Sequence, residues 1–507
     1  MRTGNGSGFG GEGARRALLV AVLAAYLLLS AGSALTERPG VDEGFFANPA
    51  VNLLRRGFMG TTTIETAGTT VESMKRHTYW VMPLHLVVQA GWYRLFGFSL
   101  FSMRSISILF GLVALLAWFK IIKSLSDDPW LALLACALVG CDLLFVSIAS
   151  SGRMDMMSAS LGFSSYAVYL LLRRRDLTRA VLASQSLAVA SGLTHPVGGT
   201  LAFSGLLFLT LYSDRARLTW KHLAVALVPY AVGALGWGLY IAQEPASFVR
   251  QFRNNATMNN RMGGFSNPLR ALLDEFAVRH ATAFGLGSHS PGHGGAIYLK
   301  ALVLAAYAAA VVGVIVVRDL RRHRGFRALL LLTLIYFLVL ALLDGQKMTY
   351  NLVYIVPLYA ALLAVFLRWL WTTRNAAARA LAALCLCGVL LLQIGGALYK
   401  MRQDTYRKGY VPAINFLKQN ATPQSLIMGS SALGFGLDYP DNLVDDVKFG
   451  YYSGRRADFI VVDPDYAATL PAFKERQPEV AAYLDKLFGE DYRLAYDDGS
   501  YKIYVRR

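Results

Sequence analysis

The stretch YWVMPLHLVVQAGWYRLFG, Tyr79–Gly97, decides how this chain is threaded. It is apolar on average and close to the length a bilayer requires, yet it carries Pro83, His85, Gln89 and Arg94. Eleven other apolar runs lie at about 17–36, 105–122, 130–149, 156–172, 180–194, 196–212, 223–242, 296–317, 328–343, 352–367 and 380–399. Counting 79–97 as a further span would put Arg173-Arg174-Arg175, the Arg215/Arg217/Lys221 loop and the Arg318–Arg327 cluster on the outside. Cytoplasmic loops are the ones that collect Lys and Arg, so the count must be eleven rather than twelve. Residues 79–97 are therefore expected to form a juxtamembrane helix on the outer face, its polar residues turned to headgroups or to an active site.

Composition agrees. Hydrophobic residues make up 55% of the 507 and charged ones 16%, too few for a soluble surface of this size. The net charge of +18 comes in short clusters between apolar runs, which fits membrane orientation and argues against nucleic acid as a partner. Cys136, Cys141, Cys385 and Cys387 sit in apolar stretches and imply neither a disulfide framework nor a zinc site. The expected fold is a polytopic all-α membrane domain of about 11 helices (range 11–13), followed by a small α/β domain.

Residues 1–16 are expected to be a disordered cytoplasmic segment ending in Arg15-Arg16. The membrane domain then occupies 17–399, and 400–507 folds outside the cytoplasm in the plasma (inner) membrane of the cell envelope. In that tail, Val411–Gln419 and Glu479–Phe488 read as helices, and Ser425–Met428, Asp458–Asp463 and Tyr492–Ala495/Tyr501–Val505 as strands. The last pair is joined at Asp497-Asp498-Gly499, a hairpin signal. The outer face receives loop 37–104, the Ser150–Asp155 and Thr194–Gly199 turns, loop 243–295, the Asp344–Asn351 turn and the tail.

Two acidic islands stand on that face, Asp42-Glu43 after the first helix and Asp155 in Gly152-Arg153-Met154-Asp155. Asp42 could simply cap a short helix over Gly44–Ala47, and Asp155 could complement a helix dipole. Their combination with cations favours chemistry. Lys75, His77, Arg153, His195 and Lys347, with Tyr350 beside it, all fall in outer segments, where Lys and Arg are normally sparse. Such cations would neutralise a lipid phosphate, although any one of them could only be snorkelling to headgroups. His195 precedes Pro196 and could be a satisfied polar residue at a helix break, and Asp142 an intramembrane hydrogen-bonding group.

Taken in order, these features resemble the GT-C superfamily of polyprenyl-phosphate-sugar glycosyltransferases. They are the Asp-Glu pair, Lys75 ahead of Tyr79-Trp80, Leu95-Phe96-Gly97 and then Arg104, Arg153-Met154-Asp155, and Lys347 and Tyr350 ahead of Pro357. The similar branch holds the protein O-mannosyltransferases (dolichyl-phosphate-mannose-dependent) and the lipid A aminoarabinose transferases, and the likeness covers about residues 15–370. The resemblance implies Asp42 as catalytic base with Glu43 its partner, Asp155 as a second acid in the same cavity, Lys75 at the donor or acceptor site, and Lys347 with Tyr350 near the lipid phosphate. Where the aminoarabinose branch has Glu-Lys-Pro, this chain has Met74-Lys75-Arg76-His77, and where a Lys-Gly is common it has His195-Pro196. These departures leave the sugar and the acceptor open.

The expected activity is transfer of a sugar from a polyprenyl-phosphate donor to an acceptor hydroxyl (or phosphate) on a lipid, glycan or protein, in a single inverting displacement. An Asp base would serve the acceptor, and cations would stabilise the departing phosphate. A divalent Mg or Mn ion between Asp42 and Asp155 is chemically admissible, but so few ligands from separate loops do not make a metal site. The alternative is a flippase or transporter of a lipid-linked envelope precursor. It is disfavoured because no internal repeat is evident and the charges gather at one face, not at the midplane.

Overall fold

The structure, a computed structural model, describes residues 8–69, 73–257, 261–287 and 298–507. Helices come in chain order as α1 Gly8–Thr36, α2 Val41–Arg56, α3 Pro83–Phe96, α4 Leu100–Ser126, α5 Pro129–Gly140, α6 Leu143–Ala149, α7 Met154–Leu172, α8 Leu177–Thr194, α9 Pro196–Asp214 and α10 Trp220–Ile241. They continue as α11 Pro245–Thr257, α12 Pro268–Asp274, α13 Lys300–Val316, α14 Arg324–Leu343, α15 Val356–Thr372 and α16 Ala376–Gln403. Each of the eleven expected spans falls on a helix. Among the described residues, six helices are by themselves long and apolar enough to cross a membrane, seven with α5 and α6 taken together, while α13 and α15 are apolar but shorter.

The third expected span is broken. Asp142 caps α6 by accepting from Phe145 N at 3.0 Å, and the two halves meet at 65°. Tyr307 from α13 and Gln393 from α16 also donate to its carboxylate, so Asp142 is the intramembrane hydrogen-bonding group foreseen for it. Helix α7 lies innermost, and its small polar residues serve close packing: Ser158 Oγ meets Ser191 Oγ of α8 at 2.9 Å.

Three expectations about the ends of elements are corrected. The amino-terminal segment is helical from Gly8 instead of disordered through residue 16, because α1 extends past its apolar run and Arg16 pairs with Glu12 one turn earlier at 2.6 Å. Helix α2 is capped by Gly40, not Asp42, with Glu43 closing back on Gly40 N at 2.9 Å. The segment read as a helix over 79–97 becomes helical only at Pro83, which at the first helical position needs no N–H partner.

The tail carries α17 Val411–Asn420, α18 Pro464–Thr469, α19 Pro471–Arg476 and α20 Pro478–Lys486. Its strands are β1 Ile427–Met428, β2 Leu443–Val444, β3 Phe459–Val462, β4 Tyr492–Asp497 and β5 Lys502–Arg506, in the order β2-β1-β3-β5-β4. The β2-β1-β3 part is parallel, and β5 and β4 are antiparallel. Alternate residues face opposite ways, so the sheet has two cores. Met428, Val444, Ile460 and Val462 pack in one cluster with Tyr466 and Leu484 of α18 and α20. Ile427, Leu443, Phe459, Val461 and Ile503 instead share a cluster with Phe46, Ala47 and Val51 of α2 and with Leu86 and Tyr93 of α3. The tail is thus welded to the segment that follows α1.

Candidate active site

Helix α2 brings Asp42 and Glu43 into adjacent positions and sends them to different fates. Glu43 is buried, and Arg104 of α4 grips it with Nε at 2.8 Å from Oε1 and Nη2 at 2.7 Å from Oε2. Gly152 N donates to Oε1 at 2.7 Å and Gly40 N to Oε2 at 2.9 Å. Burial pushes its pKa up, but the Arg104 charge and these hydrogen bonds outweigh it and hold the carboxyl below the ordinary glutamate value. Arg104 spends its remaining donors on the carbonyls of Ala34, Glu37 and Arg38 at 2.7, 2.7 and 2.9 Å, groups that the end of α1 leaves unpaired. Glu43, expected as a catalytic partner, has no free acceptor position. It is an anchor that ties the end of α1, the start of α2, α4 and the Gly152 turn together.

Asp42 is left free of that anchor. Its side chain is 45% exposed and meets one partner, Nη1 of Arg153. The Nε of the same guanidinium donates to Oδ2 of Asp155 at 2.9 Å, so Arg153 bridges the two acids that sequence reading singled out. Burial opposes the arginine's charge, but Asp155 and Asp42 overcome it and keep Arg153 firmly protonated. The guanidinium lies 3.8 Å above the Tyr350 ring and 5.9 Å from that of Phe46. Asp155 is fully buried, and its Oδ1 has no hydrogen-bond partner among the described residues.

The surrounding wall comes from elements far apart in sequence. His195, in the α8–α9 turn, lies within electrostatic reach of Asp155 and Arg153 and places Nδ1 3.4 Å from Tyr354 Oη; burial lowers its pKa, so the imidazole is neutral. His85 of α3 accepts a hydrogen bond at Nε2 from the Gln89 amide at 2.8 Å, with Gly152 O 3.4 Å from the same nitrogen. Burial drives His85 down to about 4, and its Nδ1 is unpartnered. Trp80 stacks on Phe46 at 5.9 Å. The juxtamembrane segment therefore turns polar residues to the site, as expected of it. Arg261, a residue of outer loop 243–295 to which the sequence assigns no role, has its charge felt by both His195 and Tyr350, and its buried Nε lacks a partner among the described residues. Its carbonyl accepts from Gly345 N at 2.8 Å, which pins it to the 344–351 turn.

Three predicted cations stand elsewhere. Lys347, expected near a lipid phosphate, is buried with Nζ 3.4 Å from Glu275 and 2.6 Å from the carbonyl of Ala341. Arg279 joins the same group, 2.6 Å from Glu275 and 2.6 Å from Asp344. Burial lowers the Lys347 pKa, with Glu275 opposing. This knot fastens the 275–280 turn to the 344–351 turn, and the Lys347 ammonium is committed to it. His77 is likewise engaged, 2.9 Å from Glu244 and 3.1 Å from Gln243 at the end of α10. Lys75 is exposed and makes no ion pair among the described residues. Its backbone passes so close to Gly60 that a Cβ there would lie 2.1 Å from Lys75 O, so only glycine permits the crossing. His289 and His293, and most of Gly285–Gly295, lie outside the described residues. Among the described residues no group of three His, Cys, Asp or Glu side chains is arranged to hold a metal ion.

Residues 79–237 match the family model of dolichyl-phosphate-mannose-protein mannosyltransferases. No curated protein sequence matches the chain significantly. Among solved structures, ArnT from Cupriavidus metallidurans, crystallised with undecaprenyl phosphate, is 18% identical with a TM-score of 0.56, covering 96% of this chain and 97% of that one. The oligosaccharyltransferase of Archaeoglobus fulgidus is 13% identical with a TM-score of 0.57, over 97% of this chain and 74% of its own. The mycobacterial arabinofuranosyltransferase AftD is 13% identical with a TM-score of 0.53, over 97% of this chain and 40% of its own. The chain shares the polytopic membrane fold of these solved structures. None of them supports the flippase alternative.

Proposed function

Taking the GT-C fold as premise, we propose that this chain is an integral-membrane glycosyltransferase that moves a sugar from a polyprenyl-phosphate donor to an acceptor hydroxyl. Asp42 is the base. Its carboxylate takes the proton of the acceptor hydroxyl as that oxygen attacks the anomeric carbon. The bond from carbon to phosphate oxygen breaks, and polyprenyl phosphate departs with the electron pair, inverting the sugar. The observation that carries this reading is the Asp42–Arg153–Asp155 bridge, in which one carboxylate reaches solvent and the other is buried.

Arg153 fixes the base, and the Tyr350 ring beneath it holds the guanidinium in plane. The free Oδ1 of Asp155 is an acceptor and Nδ1 of His85, whose Nε2 accepts from Gln89, is a donor, and both are suited to sugar hydroxyls. Charge on the departing phosphate is met by Arg261, whose charge already reaches His195 and Tyr350 and which has no carboxylate partner among the described residues. A Mg or Mn ion held by Asp42 and Asp155 would have to displace Arg153 from between them. The carboxylate end faces out of the cytoplasm, because the basic Arg173–Arg175, Arg215–Lys221 and Arg318–Arg327 clusters belong to the opposite ends of the helices.

Asp42→Asn tests the assignment. Positioned acid–base help is worth about 10²–10⁴-fold, so transfer from a radiolabelled polyprenyl-phosphate sugar should fall by that factor while the variant melts like the wild type. Normal turnover in that variant removes Asp42 from the chemistry.

A further inference from the structure

Away from the carboxylates, an open-mouthed cavity of about 60 Å³ lies between α6, α13 and α16. Its apolar wall is Leu143, Leu144, Ala283, Phe284 and Val303, and its polar end holds Ser147, Lys300 and Lys400. Lys300 is the first residue of α13, and Lys400 lies in the last turn of α16, so two helix ends deliver ammonium groups to one hollow. The Nζ of Lys400 donates to Ser147 Oγ at 3.0 Å, and its nearest carboxylate is Glu37 at 4.0 Å. Lys300 has no ion pair among the described residues. Gln393, also in the lining, is spent on Asp142 and on Leu143 N at 3.1 Å. Asp142 in turn is filled by Tyr307, Gln393 and Phe145 N and offers the lysines nothing.

The inventory at the polar end is two cations and a hydroxyl against one distant carboxylate. Like charges brought together in a partly buried hollow repel, and an anion lying between them relieves that repulsion. The apolar half of the same cavity specifies what the anion is attached to. We propose that this cavity is a second lipid-phosphate site, in which Lys300, Lys400 and Ser147 hold the phosphate of a membrane lipid whose hydrocarbon runs along Leu143, Leu144 and Val303. It is built from none of the residues assigned to the reaction. Ser147 nevertheless lies in the last turn of α6, six residues before Arg153 in the chain.

The test is native mass spectrometry of the full chain in detergent, with polyprenyl phosphate, phosphatidylglycerol or inorganic phosphate added in turn. The expected result is that Lys300→Gln/Lys400→Gln retains one lipid phosphate fewer than the wild type, with affinity for that lipid reduced at least tenfold, while Lys300→Arg/Lys400→Arg keeps it. The lipid retained, polyprenyl or glycerol-based, names the source. The site is overturned if the Gln variant, melting like the wild type, binds both lipids as the wild type does. Complete displacement of the lipid by millimolar inorganic phosphate also overturns the lipid assignment. If the Gln variant fails to fold, Ser147→Ala and Val303→Trp, which keep both lysines, carry the same comparison. Binding is read without turnover, so loss of this site and loss of the transferase reading are separate outcomes.

Discussion

Glu43→Gln separates positioning from chemistry at adjacent residues. The wild-type carboxylate is buried and accepts four hydrogen bonds, two of them from Arg104. The amide keeps one acceptor oxygen and turns an NH2 group towards donors, leaving the buried guanidinium without its counter-charge. Breaking a buried pair in this way costs about 3–5 kcal/mol. Arg104 retains three backbone carbonyls, which places the expected loss near 3 kcal/mol, a large share of the ~5–15 kcal/mol that holds a fold together. Asp42→Asn removes only a partly exposed pair, worth ~1 kcal/mol or less. Both variants are purified as full chains in detergent. Unfolding is followed by the fluorescence of the eight tryptophans, and sugar transfer is measured below both melting temperatures. Glu43→Gln should melt several degrees early and lose activity only as far as Arg153 and Asp155 are displaced. Asp42→Asn should melt normally and be inactive. A Glu43→Gln protein with wild-type melting and no turnover would refute the anchor and return Glu43 to the reaction.

Three further outcomes follow from the same geometry. Arg153→Lys cannot span Asp42 and Asp155 or lie flat on Tyr350, so kcat/KM should fall about 10²-fold in the transfer assay, with little change in melting. His85 is held near 4 against an ordinary 6.5, so its contribution to stability is present above pH 6.5 and is lost as pH falls from there to 4. That loss amounts to about 3 kcal/mol, and melting curves across the window should be flatter in His85→Gln. Arg261→Met should leave melting unchanged and raise KM for the donor about tenfold, whereas Lys347→Met, which strips a cation from buried Glu275, should lower the melting temperature.

Much of this architecture was legible because its signals are local. Apolar runs of bilayer length mark the helices, the Asp497-Asp498-Gly499 turn marks a hairpin, and the basic clusters order the ends. Asp42, Arg153, Asp155, His195 and Tyr350 were gathered to one face by counting spans, and the structure brings those five together. What escaped was pairing between distant residues. Glu43 finds Arg104 61 positions on, and Lys347 finds Glu275 72 positions back in a turn with no periodicity. A carboxylate claimed by a buried arginine reads in sequence like one free to react. Arg261 escaped for a related reason, since only its carbonyl bond to Gly345 brings a loop arginine to the site.

The shared core explains how Asp42 can be exposed and still held in place. Arg104 and Glu43 fix the start of α2 from the membrane side, and the tail fixes the helix from the other. Gly44 is seated so closely on the tail that a Cβ would stand 2.4 Å from the Ser431 carbonyl carbon, and Tyr439 donates to Gly44 O at 3.0 Å. Arg55 and Arg56, at the far end of α2, reach Asp438 and Asp441 at 2.6 Å each. Arg38, in the link from α1, closes a bidentate pair with Asp465 at 2.8 Å on both arms. A base that must meet a bulky acceptor cannot be buried, and a base on an unsupported interfacial helix would lose the orientation that catalysis requires. Here the helix is clamped on both sides, so the Asp42 side chain is exposed while the backbone beneath it stays fixed. On this arrangement the tail contributes to catalysis without supplying a reacting group.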